Sequence, residues 1–116
     1  MDEDKSIYIN TAKLVKKTAK IETILEQLGG TGGGIYDKAD STNKFSKEFM
    51  NDLIKIAEIR NTAVHGNPII PNFDRVLSDA DNLLKIVQKE KIKLFILKLT
   101  IPIVILVSLC YSLWSN

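Results

Sequence analysis

The stretch LFILKLTIPIVILVSLCYSLWSN, residues 94–116, decides how this chain is built. From Leu94 to Trp114 it runs 21 residues with a single charge, Lys98. As a helix rising about 1.5 Å per residue, that length spans the roughly 30 Å hydrocarbon layer of a bilayer. A helix apolar on every side needs either lipid or a large protein around it. With 116 residues the chain has room for one compact domain and an appendage, so membrane insertion is preferred to burial in a soluble core. Lys85, Lys89, Lys91, Lys93 and Lys98 precede the uncharged run, and only Ser115 and Asn116 follow Trp114. The positive-inside bias then predicts a single-pass, tail-anchored protein with its N-terminal domain in the cytoplasm. Lys98 is expected to reach back to the headgroups, with Tyr111 and Trp114 at the far interface. Pro102 is expected either to kink the segment or to help it start. No cleavable leader is expected, because the apolar run is C-terminal and MDEDKSI, residues 1–7, is polar and acidic.

This division sets the domain organisation: residues 1–91 as a helical domain and 92–116 as the membrane anchor. Charge follows the same line. All 14 acidic residues lie within residues 1–90, beside 13 of the 16 lysines and arginines, so the N-terminal part is close to neutral. A uniformly basic nucleic-acid-binding surface is therefore not indicated, although a local patch is compatible with this balance. Cys110 is the single cysteine and cannot form an internal disulfide, which fits a reducing compartment.

Upstream, Ile7, Leu14, Ile21 and Leu28 recur every seven residues, with Tyr8, Val15, Ile24 and Leu25 widening the stripe. This predicts a first amphipathic helix from Ser6, a candidate N-cap, to Leu28, stopped by Gly29 and Gly30. Lys13, Lys16, Lys17 and Lys20 share one face of it. They read first as a solvated face and second as a weak RNA contact. GGTGGGIYDKADSTN, residues 29–43, reads as a mobile glycine-rich loop without regular structure, able to gate or clamp a ligand. It is not a phosphate-cradling P-loop, because Gly34 is followed by Ile35 and Tyr36 where that motif requires lysine and a hydroxyl.

A second helix is expected from Ser41–Asn43, burying Phe45, Phe49, Leu53, Ile56 and Ala57. It ends in EIRNTAVHGN, residues 58–67, with Gly66 and Pro68 as stop signals. NPIIPN, residues 67–72, reads as a short extended turn. A third helix from Asn72 or Asp74 packs Phe73, Val76, Leu77, Ala80, Leu83, Leu84 and Val87, then continues into the anchor. No strand pattern is found, and the fold class expected is all-α.

The end of the second helix carries the candidate chemistry. Glu58, Asn61 and the only histidine, His65, fall on one helical face, with Arg60 adjacent. A guanidinium grips phosphate through paired hydrogen bonds, and imidazole exchanges protons near neutrality. Together they suit cleavage of an RNA phosphodiester by its own 2′-hydroxyl. On physical grounds alone the plainer account is preferred, in which Arg60 and His65 complement the helix dipole and cap its carbonyls.

IRNTAVHGN nevertheless resembles the signature of the HEPN family (higher eukaryotes and prokaryotes nucleotide-binding domain), in which Arg, a polar residue, three variable positions and His close a helix. The match covers Arg60, Asn61 and His65, with Gly66 after them. The resemblance implies a HEPN-like helical bundle that dimerises, or forms a higher oligomer, around a composite cleft of two such motifs. It implies metal-independent ribonuclease activity in toxin–antitoxin, abortive-infection or antiviral defence, with Arg60, Asn61 and His65 catalytic. Glu58 is a weaker candidate, salt-bridging Arg60 of a second copy or facing solvent. An antitoxin or sensor protein would be the restraining partner. The domain before the anchor is short for the family, which leaves open that the C-terminal helix is itself a bundle member. No cofactor or metal is expected. The alternative function is a non-catalytic, membrane-tethered module for binding or dimerisation. A pore formed by the C-terminal helix ranks last, since one apolar span would need many copies.

Overall fold

The computed structural model describes residues 2–66 and 70–115, with side chains from residue 5 onward. The chain is all-α, as expected, and no strand occurs among the described residues. Four helices follow one another: α1 (Asp2–Gln27), α2 (Ile35–Thr42), α3 (Lys47–His65) and α4 (Phe73–Ser115).

The pairing of α1 with α4 sets the architecture. Leu14, Ile21 and Leu25 of α1 are completely or almost completely enclosed, as are Ala80 and Val87 of α4. The two helices run parallel in one register. Asn10 lies beside Asn72–Arg75. Lys17 donates to Asp81 at 2.5 Å, 64 positions further on. Ile24 meets Gln88, Ile92 and Phe95. α3 returns antiparallel to both, as the short link from its end at His65 to the start of α4 at Phe73 requires, and its Asp52, Ile56 and Ile59 border one groove with Arg75, Asp79 and Ile86 of α4. Phe49, Leu53 and Ile56 close the core from that side.

Three boundaries differ from the sequence expectation. First, α1 begins at Asp2, so Ser6 lies inside it and does not cap it. Tyr8 is 69 % exposed and does not extend the buried stripe, because α1 overhangs the start of α4 before Asn10. Second, residues 29–43 are not without regular structure: α2 occupies 35–42. Ala39, only 1 % exposed, and Ile35 anchor it to the core, which its mostly polar sequence conceals. Asn43, expected among the caps that open the second helix, instead closes α2 in the left-handed conformation at φ 54°. Third, α3 is opened by Ser46, whose hydroxyl accepts from the Phe49 amide at 3.1 Å. Phe45 precedes the helix and stacks on Phe49 with ring centroids 4.4 Å apart, fixing the angle of entry much as a hydrophobic staple does.

At its far end α3 terminates at Gly66, whose amide donates to the Thr62 carbonyl at 3.0 Å. Asn67, Pro68 and Ile69, half of the expected extended turn, lie outside the described residues. α4 then runs 43 residues without interruption. Its first half is a bundle member. From Phe95 onward its side chains are exposed all round, and the helix is long and apolar enough to cross a membrane. It continues through Pro102, which leaves the Lys98 carbonyl without its usual backbone donor. Thr100 bonds back to the Ile96 carbonyl at 2.7 Å in the same turn.

Truncating Leu25, with 0 % exposure, to Ala should destabilise the full chain in detergent micelles by about 2–5 kcal/mol. Ile103→Ala, on the exposed half of α4, should leave the denaturation of the bundle unchanged. Denaturant melts of the two variants beside the wild type check this.

Candidate functional site

The sequence motif and the glycine-rich segment, far apart in the chain, face each other. Arg60 and Asn61 of α3 form one wall of a cleft of about 440 Å³, and Gly33 to Asp37, running into the start of α2, form the other. α1 and α3 contribute short side chains between them, Thr18, Ala19 and Ala57, which keeps the cleft open. Its size falls within the roughly 300–1,000 Å³ typical of small-ligand sites.

Two glycines hold the loop in this position. Gly32 has φ +127° and lies so close to Asp37 that a Cβ would come within 2.6 Å of its Cβ. A Cβ on Gly30 would meet the Lys38 and Leu25 carbonyl oxygens at 2.5 and 2.7 Å. Lys38 tethers α2 to α1, donating to Glu22 at 2.5 Å and Glu26 at 2.7 Å. These bonds, Glu22 first and Glu26 second, hold the Lys38 ammonium charged above its ordinary range, against a smaller opposing effect of desolvation. Glu22 reaches the cleft already paired with a cation.

Arg60 is half-buried and donates to the Asn61 side-chain oxygen at 3.2 Å. It makes no ion pair with a carboxylate among the described residues, so its charge is available to a ligand. Asn61 keeps its amide nitrogen as a donor. His65 is exposed at the last position of α3 and does not line the cleft. It stands five residues past Arg60, about 7.5 Å of helical rise, on the side away from the apolar half of α4. Glu58 is exposed and also outside the cleft, its backbone carbonyl accepting from the Thr62 hydroxyl at 3.0 Å. The structure therefore joins Arg60 and Asn61 to one cavity and leaves His65 and Glu58 on open surface.

The four lysines of α1 divide. Lys17 is engaged by Asp81 across the bundle, whereas Lys13, Lys16 and Lys20 are exposed. Tyr36 and Asp37, missed in the sequence reading, stand directly in the cleft wall. Nothing local marked them, because they reach Arg60 only through tertiary packing. Among the described residues no three His, Cys, Asp or Glu side chains gather as a metal site. No family model, curated protein or solved structure matches the chain.

The Lys38 tether makes a prediction with a definite sign. A lysine whose pKa is raised on folding contributes stability fully below the ordinary lysine pKa, and that contribution is lost as pH rises through the folded-state value. The difference in Tm between wild type and Lys38→Met should therefore be steady from neutrality to about pH 10 and shrink above it. Thermal melts across that range check it.

Proposed function

We propose that this chain is a membrane-anchored endoribonuclease of the HEPN type, with Arg60, Asn61 and His65 as its site. The observation that carries the reading is the Arg60 guanidinium, free of any carboxylate partner among the described residues, in the wall of a cleft with exposed His65 about one turn further along the same helix. In the proposed reaction a ribose 2′-hydroxyl attacks the adjacent phosphorus and the 5′-oxygen of the next nucleotide leaves. The products are a 2′,3′-cyclic phosphate and a 5′-hydroxyl. An imidazole accepts the 2′-hydroxyl proton and an imidazolium supplies a proton to the leaving oxygen. One chain has a single histidine. A second copy, meeting the first at the exposed ends of α3, would supply the other.

Arg60 would balance charge building on the phosphoryl oxygens, and Asn61 would hydrogen-bond the phosphate or orient the imidazole. The C-terminal half of α4 would be the anchor, with α1–α3 in the cytoplasm. Concentrating copies in the plane of a membrane would favour assembly of the composite site. In biological terms this is a toxin or antiviral-defence effector held in check by a partner protein. A second reading, a non-catalytic tethered binding module, draws support from His65 lying outside the cleft that Arg60 lines.

Wild type, Arg60→Ala and His65→Ala, expressed to equal levels, should differ in RNA integrity and growth. The purified full-length proteins in nanodiscs should differ likewise on single-stranded RNA. Each substitution is expected to lower cleavage by about a hundredfold or more. Equal cleavage or equal toxicity in all three would refute the nuclease reading.

A further inference from the structure

The glycines at 33 and 34 pose a question that the fold does not answer. Gly30 and Gly32 are required by close approach and backbone conformation, but a Cβ at 33 or 34 would meet nothing within 4 Å. Neither has a left-handed φ, and Gly34 is extended at φ −145°. Any residue would fit the bundle there. Gly33 and Gly34 line the same cleft as Arg60 and give it bare backbone there. Bare backbone lining a cavity, without a packing reason, permits close approach of a ligand.

The other lining groups define that ligand. Arg60 supplies one unpaired positive charge and a planar fork suited to a phosphate. Tyr36, 38 % exposed, offers a ring against which a base can stack. The Asn61 side-chain oxygen accepts from the guanidinium, which leaves its amide nitrogen as a donor for a ligand. Two carboxylates also reach the cleft, Glu22, already paired with Lys38, and Asp37, which has no ion-pair partner among the described residues. One free guanidinium beside a free carboxylate tolerates a single phosphate, not the four negative charges of a triphosphate.

We propose that this cleft is a subsite for one nucleoside monophosphate unit, with its phosphate on Arg60 and its base against Tyr36. The proposal rests on the RNA reading for its biological substrate, and it extends the site beyond the Arg60–His65 motif to the glycine segment and α2. On the nuclease reading, the nucleotide held there would be one unit of the strand whose phosphate Arg60 grips. The same chemistry could come from a free mononucleotide or from one residue of an RNA strand.

Binding to full-length His65→Ala protein in nanodiscs, which removes turnover, separates these cases. The probes are AMP, GMP, CMP and UMP, then ATP, inorganic phosphate and a single-stranded hexaribonucleotide. Monophosphates should bind more tightly than ATP and inorganic phosphate. In the same background Gly33→Leu, which adds a bulky side chain to the cleft lining, should weaken binding at least tenfold. Tyr36→Ala should weaken it by about tenfold through lost stacking. Tyr8→Ala, equally aromatic but outside the cleft, should leave it unchanged. A hexamer binding far above every monophosphate assigns the subsite to RNA, and equal affinities assign it to free nucleotide. No detectable monophosphate or hexamer binding, binding indifferent to Gly33→Leu, or tighter ATP would overturn the proposal. Its fate is separable from that of the nuclease: wild-type RNA cleavage with unaltered KM in Gly33→Leu and Tyr36→Ala sinks the subsite alone. Cleft-dependent binding with no cleavage by wild type sinks the nuclease alone.

Discussion

The parallel packing of α1 on α4 is the contact from which the rest of the molecule follows. Leu14, Ile21 and Leu25 are buried with Val76, Ala80, Leu83 and Val87, and the Lys17–Asp81 bond marks the register. Only the first half of α4 takes part. The second half keeps the same helical backbone, and the apolar surface beyond Phe95 is exposed among the described residues. A single helix thus serves as core element and as the segment long enough to span a bilayer. Of the two readings of the C-terminal helix that the sequence leaves as alternatives, bundle membership holds for the first half, and the second half is long and apolar enough to cross a membrane.

This continuity also positions the candidate site. The α1–α4 register puts Thr18 and Glu22, and with them the Arg60 cleft, level with Asn82 to Ile86. That is about 15 Å before Leu94 at 1.5 Å per residue. α3 then points His65 away from the apolar half. The cleft therefore lies on the bundle side of the exposed apolar half of α4. The polar tether of Lys38 to Glu22 and Glu26 has a corresponding task, holding α2 and the glycine segment at the mouth of the cleft.

What the sequence made legible was whatever depends on local periodicity. The apolar span, the continuity of α4, the Leu14–Leu28 stripe and the end of α3 at Gly66 all follow from spacing and stop signals. α2 was not legible, because IYDKADST contributes only Ile35 and Ala39 to the core and lies beside glycines that suggest a loop. The cleft was not legible either. Its two walls are Gly33–Asp37 and Arg60–Asn61, brought together by packing across α1, and no pattern within either segment points to the other. Helical angle put Glu58, Asn61 and His65 on one face with Arg60 adjacent, whereas the three-dimensional arrangement lines one cleft with Arg60 and Asn61 and leaves His65 outside it.

The central claim is that one unbroken helix carries the bundle at one end and enters the bilayer at the other. Depth measurement by spin labelling tests it most directly. Single cysteines would be placed at 82, 89, 95, 104 and 114 of the full chain in a Cys110→Ser background, and the protein reconstituted in nanodiscs. The account predicts ready access by a water-soluble relaxation agent at 82 and 89, a sharp fall by 95, maximal oxygen access at 104 and partial recovery of water access at 114. Uniform water access from 95 to 114, or low access to both agents throughout, would contradict it.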